Sequence, residues 1–189
     1  AESNQKLAEK VNVEGAKNLA EACSRAGAVM IHISTDFVFD GNQTNLYTEK
    51  DKENPLRVYN LTKLEGEREV AKALKEHFII RTSWLYSEYG NNFVKTKLRL
   101  GSQRETLNVV CNQIGTPTYG VDFAKAIFEE SETSVKLSPI KSEAYPTPAQ
   151  RPKFSVMDKS KIKEEFKLEI PHWRDSLREC LSKSIVPRS

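Results

Sequence analysis

Two short apolar runs, AVMIHIS at 28–34 and HFIIRTS at 77–83, constrain this chain more than anything else in it. Each is nearly continuous rather than alternating, the pattern of a strand covered on both faces, as strands are in a parallel sheet. Between them a helix is predicted over 58–75, rich in Lys, Glu, Leu and Ala. A polar loop from Asp40 to Pro55, with DG and NP dipeptides, precedes that helix. Strand, helix and strand with a connection of this length make a right-handed βαβ unit. A further helix is expected over 4–26, where Leu7, Val11, Gly15, Leu19 and Cys23 recur at every fourth position. Ser3 or Asn4 can cap it, and Gly27 is a natural stop. The predicted fold class is therefore α/β, the interior of a Rossmann-like, doubly wound parallel sheet.

The pattern changes after Tyr86. A helix is expected in NNFVKTKLRLGSQ, a short strand in TLNVVCN, a loop in QIGTPTYG and a helix in VDFAKAIFEE, with Phe123, Ala126 and Ile127 on its apolar side. Residues 133–155 read as irregular, with Pro139, Pro146, Pro148 and Pro152. From Lys159 to Ser184 helical stretches are broken at Pro171. The boundary falls near 86–110. Residues 1–110 are expected to form part of a dinucleotide-binding domain. Residues 111–189 are expected to be mainly a smaller α+β substrate domain, with interleaving allowed.

Composition narrows the classes. Hydrophobic residues at 38% can build a packed core. No apolar run approaches the roughly 20 residues needed to span a bilayer, so no membrane partner is expected. The first residues contain no apolar stretch of a secretory signal. The net charge, 29 − 26 = +3, is small and dispersed, which argues against nucleic acid. Cys23, Cys111 and Cys180 are far apart, which excludes CxxC motifs and suits reduced thiols in a cytoplasmic protein. His32 reads as a strand residue that packs, and His77 and His172 have no neighbour at metal-ligand spacing, so no metal site is expected. The eight glycines contain neither GxGxxG nor GxxxxGK[ST]. Taken alone, that argues against a nucleotide enzyme.

The rest of the chain argues for one. Tyr59 and Lys63 are spaced i, i+4 at the start of the predicted helix and share its face. An ammonium near a phenol lowers the phenol pKa from its usual value of about 10 and readies it to pass a proton to an oxygen. Such a pair also arises by chance on many helices, so its surroundings matter. Ser34-Thr35-Asp36 ends the first predicted strand, at the sheet edge where open α/β folds place ligands. Its commoner role elsewhere is a turn or helix cap. Arg81-Thr82-Ser83-Trp84 ends the second strand at the same edge. Trp84 there can pack on a sugar or base, or simply fill a core.

The strings STDFVFDG (34–41), YNLTKLEGE (59–67), RTSWLYSEYGNNFV (81–94), QIGTPTY (113–119), YPTPAQRPKFSVMD (145–158) and WRDSLRE (173–179) resemble, in order, those of the dTDP-4-dehydrorhamnose reductases. These are members of the extended short-chain dehydrogenase/reductases. NVEGAKNLAEAC (12–23) is similar to the helix that precedes their first catalytic strand. The resemblance implies that Tyr59 is the general acid at the substrate's C4 carbonyl oxygen. It implies that Lys63 tunes Tyr59 and that Thr35 orients the carbonyl. Ser34, Tyr59, Lys63 and Thr82 are implied at the cofactor, NADPH or NADH. Thr35, Asp36, Phe37 and Trp84 are implied around the dTDP-sugar, whose reduction yields dTDP-L-rhamnose.

There are departures from the family pattern. Asn60 stands where the family has glycine, and Phe37 where tyrosine is common. Residue 1 corresponds to a point about sixty residues into the family's pattern, so the GxxGxxG turn and the residue that selects NADPH or NADH precede it. Another family segment is expected near Gly120–Val121. The resemblance thus implies part of a roughly 280-residue reductase. Some members use magnesium at a dimer contact through glutamates; no residue here identifies such ligands, and a homodimer is left open. A regulatory subunit similar to the methionine adenosyltransferase β subunit is the alternative in another class. RTSWLY and YPTPAQRP lean towards the reductases.

Overall fold

The computed structural model describes residues 1–103, 105–106, 113–129 and 154–184. They fall into two compact units that change over between Ser83 and Trp84, the first regaining the segment that ends at Met157 and the second resuming at Asp158. The expected strand in 107–112, with Cys111, and the string from 145 to 153 lie outside the described residues.

In the first unit the opening helix is continuous but not uniform. Asn4 caps it by accepting from the Leu7 N–H at 3.1 Å. It runs as α1 (Gln5–Glu9), one π-helical turn (Lys10–Glu14) and α2 (Gly15–Ala26). Gly27 ends it with φ 63, a left-handed cap that glycine adopts without strain. The face expected to be buried is not. Leu7 is 53% exposed and Leu19 61%, whereas Ala8, Ala16 and Ala20 are buried. The stripe of small residues is what lets α2 lie close against the next helix, where Ala16 and Ala20 pack on Val70 and Leu74.

The βαβ unit forms as predicted. β1 (Met30–Thr35) and β2 (His77–Thr82) pair in parallel, with Met30 opposite His77 and Thr35 opposite Thr82. α3 (Val58–Ala73) joins them. Met30 packs against the α2–α3 core, so both helices lie on the face of β1 that carries Met30, His32 and Ser34. Coverage of both faces was expected from the apolar run. Among the described residues it holds for one face only, and Ile33 on the other is 45% exposed.

A 3-10 turn (Asp36–Val38) leads from β1 into the predicted loop. This loop is held by its own small core of Val38, Phe39, Tyr47 and Leu64, with Phe154 of β6 (Phe154–Ser155) and Met157 packed against it. The Phe39 and Tyr47 rings stack at 4.2 Å. Tyr47 Oη donates to Asp40 Oδ1 at 3.2 Å, and the Asn54 N–H donates to the Val38 carbonyl at 3.0 Å.

In the second unit β3 (Leu85–Tyr86) pairs in parallel with β5 (Thr118–Tyr119), and β4 is Ile114–Gly115. The helices are α4 (Phe93–Gly101), α5 (Gly120–Glu129), α6 (Ser160–Phe166) and α7 (Trp173–Ser184). Asn92 caps α4 through the Lys95 N–H, and α7 starts just beyond Pro171, as expected. Tyr86, Tyr119 and Cys180 form the core, with Val94, Val121 and Leu177 against them. No helix among the described residues is long and apolar enough to cross a membrane.

Candidate active site

The C-terminal ends of β1 and β2 bring Ser34 and Thr35 beside Arg81 and Thr82, because the parallel register sets Ser34 opposite Arg81 and Thr35 opposite Thr82. α3 then lays its first two turns, with Tyr59 and Lys63, over this edge. Three contacts fix the start of α3. Glu2 Oε1 accepts from the Tyr59 N–H at 3.3 Å. Thr62 Oγ1 donates to the Tyr59 carbonyl at 3.1 Å and itself accepts from Asn12 Nδ2 at 3.0 Å. Asn12 lies in the π-helical turn, so that irregularity serves the site by aiming a side chain at α3.

Thr35 is the hub of the hydroxyl chemistry. Its Oγ1 accepts from the Phe37 N–H at 3.2 Å and lies 3.1 Å from Asp36 Oδ1. It also acts on the Tyr59 phenol, favouring its ionised form. A threonine has one hydroxyl proton, and here it is given to Asp36. Phe37 meets the Tyr59 ring edge-on, with centroids 6.4 Å apart. Thr35, Asp36, Phe37 and Tyr59 therefore form one contiguous group.

Lys63 is turned elsewhere. Its Nζ donates to the Ile33 carbonyl at 2.8 Å. The expected lowering of the Tyr59 pKa is not seen. Burial pushes the phenol up, the charge of Asp36 pushes it further, and only the Thr35 hydrogen bond pulls it down. Burial holds Lys63 below the usual lysine range, opposed by the charge of Glu67. His32, beside Lys63, is also held down by burial and by the lysine's charge. A cleft of about 390 Å³ is lined by Asn12, Asn18, Leu19, His32 and Lys63, among others; Thr35 and Tyr59 are outside its lining.

Two buried hydroxyls, Ser34 Oγ and Thr82 Oγ1, make no hydrogen bond. An unpaired buried hydroxyl is costly unless a ligand supplies its partner. Both stand at the sheet edge where open α/β folds bind dinucleotides. The residues present thus fit a polar cofactor there.

Trp84 opens the second unit with φ 48, a left-handed conformation rare for a bulky residue. Its ring lies 6.4 Å from that of Phe93, and its carbonyl accepts from the Thr118 N–H at 3.3 Å. No group of three or more His, Cys, Asp or Glu among the described residues is placed to hold a metal ion.

The sequence reading passed over Glu67 and Glu53. Glu67 accepts from Arg81 Nε at 3.1 Å and from Arg81 Nη2 at 2.6 Å; the same Nη2 donates to Glu53 Oε1 at 2.8 Å. One signal was available. Glu67 follows Lys63 by four positions, as Lys63 follows Tyr59, so all three share a helical face.

The family model described as the RmlD substrate binding domain matches residues 1–124 and 120–186. Its two stretches meet where a further family segment is expected. The chain is 38% identical to the dTDP-4-dehydrorhamnose reductase of Sinorhizobium fredii (strain NBRC 101917 / NGR234), over 94% of this chain and 74% of that one. It is 34% identical to the dTDP-4-dehydrorhamnose reductase of Escherichia coli (strain K12), over 96% and 74%. Among solved structures, the dTDP-4-dehydrorhamnose reductase of Bacillus anthracis str. Ames in complex with NADP superposes with a TM-score of 0.79. It is 35% identical and is matched over 97% of this chain and 74% of its own. The shared fold is α/β with parallel strands, Rossmann-like in class.

Proposed function

This chain belongs to the dTDP-4-dehydrorhamnose reductase family, and on that premise we propose that Thr35, Tyr59 and Lys63 carry out an NADPH-dependent reduction. The C4 keto group of dTDP-4-dehydro-L-rhamnose is reduced to the alcohol of dTDP-L-rhamnose. The observation that carries the assignment of residues is that β1 ends at Thr35, whose Oγ1 holds the Phe37 N–H, and that the Phe37 ring meets Tyr59 edge-on, centroids 6.4 Å apart, at the ligand edge of the sheet.

The cofactor, when bound, supplies the hydride that reaches C4. Ser34 and Thr82, with their unpaired hydroxyls, and Lys63, with N–H protons beyond the one given to Ile33, are the groups to hold it. Tyr59 holds the proton that the carbonyl oxygen takes as it becomes an alcohol. Its raised pKa keeps that proton on the phenol at neutral pH, as a general acid requires. Thr35 Oγ donates to the same oxygen and orients it; Asp36 and Phe37, both in contact with Thr35, line the sugar.

The test is NADPH oxidation on addition of dTDP-4-dehydro-L-rhamnose. Tyr59→Phe should lose at least roughly a hundredfold in kcat, the worth of a positioned general acid, and Lys63→Ala should lose on both kcat and KM for NADPH. A Tyr59→Phe variant as active as the parent removes Tyr59 from the role.

A further inference from the structure

The chemistry above leaves the Arg81 cluster unused. Arg81 stands on β2, opposite Ser34 and next to Thr82, and its guanidinium is shared between two other elements. Nε and Nη2 donate to the Glu67 carboxylate of α3 at 3.1 and 2.6 Å. Nη2 also donates to Glu53 Oε1 at 2.8 Å, and Glu53 belongs to the loop that follows β1. The same guanidinium lies over the Phe39 ring, 5.1 Å from its centroid. A rigid, planar fork can hold several acceptors at fixed angles, which a lysine ammonium cannot. Arg81 therefore ties the loop to the sheet while keeping its own grip on α3.

From Glu53 the contacts run back to the site. The next residue, Asn54, donates its N–H to the Val38 carbonyl at 3.0 Å and its side-chain amide to Asp40 Oδ2 at 3.0 Å. Val38 ends the 3-10 turn Asp36–Val38, which the Phe39 N–H closes by donating to the Asp36 carbonyl at 3.1 Å. Within that turn Phe37 gives its N–H to Thr35 and meets the Tyr59 ring edge-on. We propose that Glu53, held by Arg81, is a positioning residue for the Asp36–Val38 turn: it fixes the returning arm of the loop to β2, and Asn54 then fixes the turn. The proposal rests on the reading of Asp36 and Phe37 as residues that line the sugar. The other arm of the loop hangs from a different support, because the Tyr47 N–H donates to the Val156 carbonyl at 3.0 Å. Loss of the Glu53 contact should therefore loosen the arm at 53–54 and the turn it holds, and leave the Tyr47 arm and the Arg81–Glu67 pair in place.

Three variants separate reach from charge. Glu53→Ala loses the contact. Glu53→Asp keeps the charge but is one methylene too short, and Glu53→Gln keeps the length and an oxygen that accepts from Arg81. KM for the sugar nucleotide should rise about tenfold in Glu53→Ala and nearly as much in Glu53→Asp, with KM for NADPH within about twofold of the parent. Glu53→Gln should lie closer to the parent than either. An unchanged KM for the sugar nucleotide in Glu53→Ala overturns the proposal, and so does a loss spread evenly over kcat and both KM values. A Glu53→Asp protein that matches the parent while Glu53→Gln does not also overturns it, because charge rather than reach then matters. Amide hydrogen exchange reads the same tether without substrate. The Asn54 and Phe39 amides should lose about tenfold in protection in Glu53→Ala and Glu53→Asp, while the β1–β2 amides keep theirs. Unchanged protection at those two amides overturns the proposal. Should Glu53→Ala not fold, Glu53→Asp carries both comparisons. With a parent that lacks reductase activity the exchange result decides, so failure of the reductase reading and failure of the tether are separate results.

Discussion

Gly66 of α3 packs so tightly against the main-chain carbonyl of Asn12 that a Cβ at that position would overlap its oxygen. The obstacle is backbone, which cannot swing aside as the tip of a side chain can. Gly66→Ala must therefore push α3 away from the π-helical turn. The expected cost is about 2 kcal/mol, typical of overpacking, read as a lower urea midpoint with unchanged slope. The displaced helix carries Tyr59 and Lys63, so kcat/KM should fall with it. A Gly66→Ala protein as stable as the parent would show that the two helices are not held at this distance.

The Tyr59–Asp36 relationship gives a pH prediction with a definite sign. A general acid works only while protonated, and burial with the Asp36 charge keeps the Tyr59 proton on to higher pH than usual. The alkaline loss of kcat/KM due to Tyr59 should therefore lie above the ordinary phenol value of about 10. Asp36→Asn removes the repulsion, so that limb should move down in pH. An alkaline limb that stays put, or moves up, means Asp36 does not face the phenol.

The parts of this site that could be read from the chain are those fixed by local spacing. Tyr59 and Lys63 share a face because any helix puts them there, and Thr35 and Thr82 reach one edge because two apolar runs and a crossover imply parallel strands. What spacing could not supply is which face of a helix is buried. The first helix carries both a leucine stripe and an alanine stripe. The second is the one that packs, because close helix contact and Gly66 favour small residues, and no hydrophobicity pattern signals that. Likewise the direction of the Tyr59 pKa depended on where Lys63 pointed. Sequence placed the ammonium near the phenol; the structure has it on the Ile33 carbonyl. The Arg81–Glu67–Glu53 cluster joins three segments far apart in the chain, so no single motif contains it.

That cluster should also shape acid stability. Burial alone would raise the Glu53 pKa, but the hydrogen bond from Arg81 and its charge more than offset this, and the net direction is downward. A carboxylate depressed in the folded state stabilises the fold above its unfolded pKa, and the contribution disappears as pH falls through the folded value. Glu53→Gln should therefore be less stable than the parent at neutral pH, and the two should converge on acidification. Urea denaturation across the acidic range checks this; a gap that widens at low pH contradicts the sign.

Trp84 gives the last test, and it lies wholly within the second unit. Its φ of 48 places a bulky residue in the left-handed region, at a backbone cost of about 1–2 kcal/mol. Trp84→Ala and Trp84→Gly remove the same ring contact with Phe93, but only glycine removes the strain. In most ordered segments glycine is the less stable of the two because it gains entropy on unfolding. Here the order should reverse, with Trp84→Gly more stable than Trp84→Ala by about 1 kcal/mol in urea denaturation. If alanine proves the more stable, the left-handed turn is not imposed by the fold at this position.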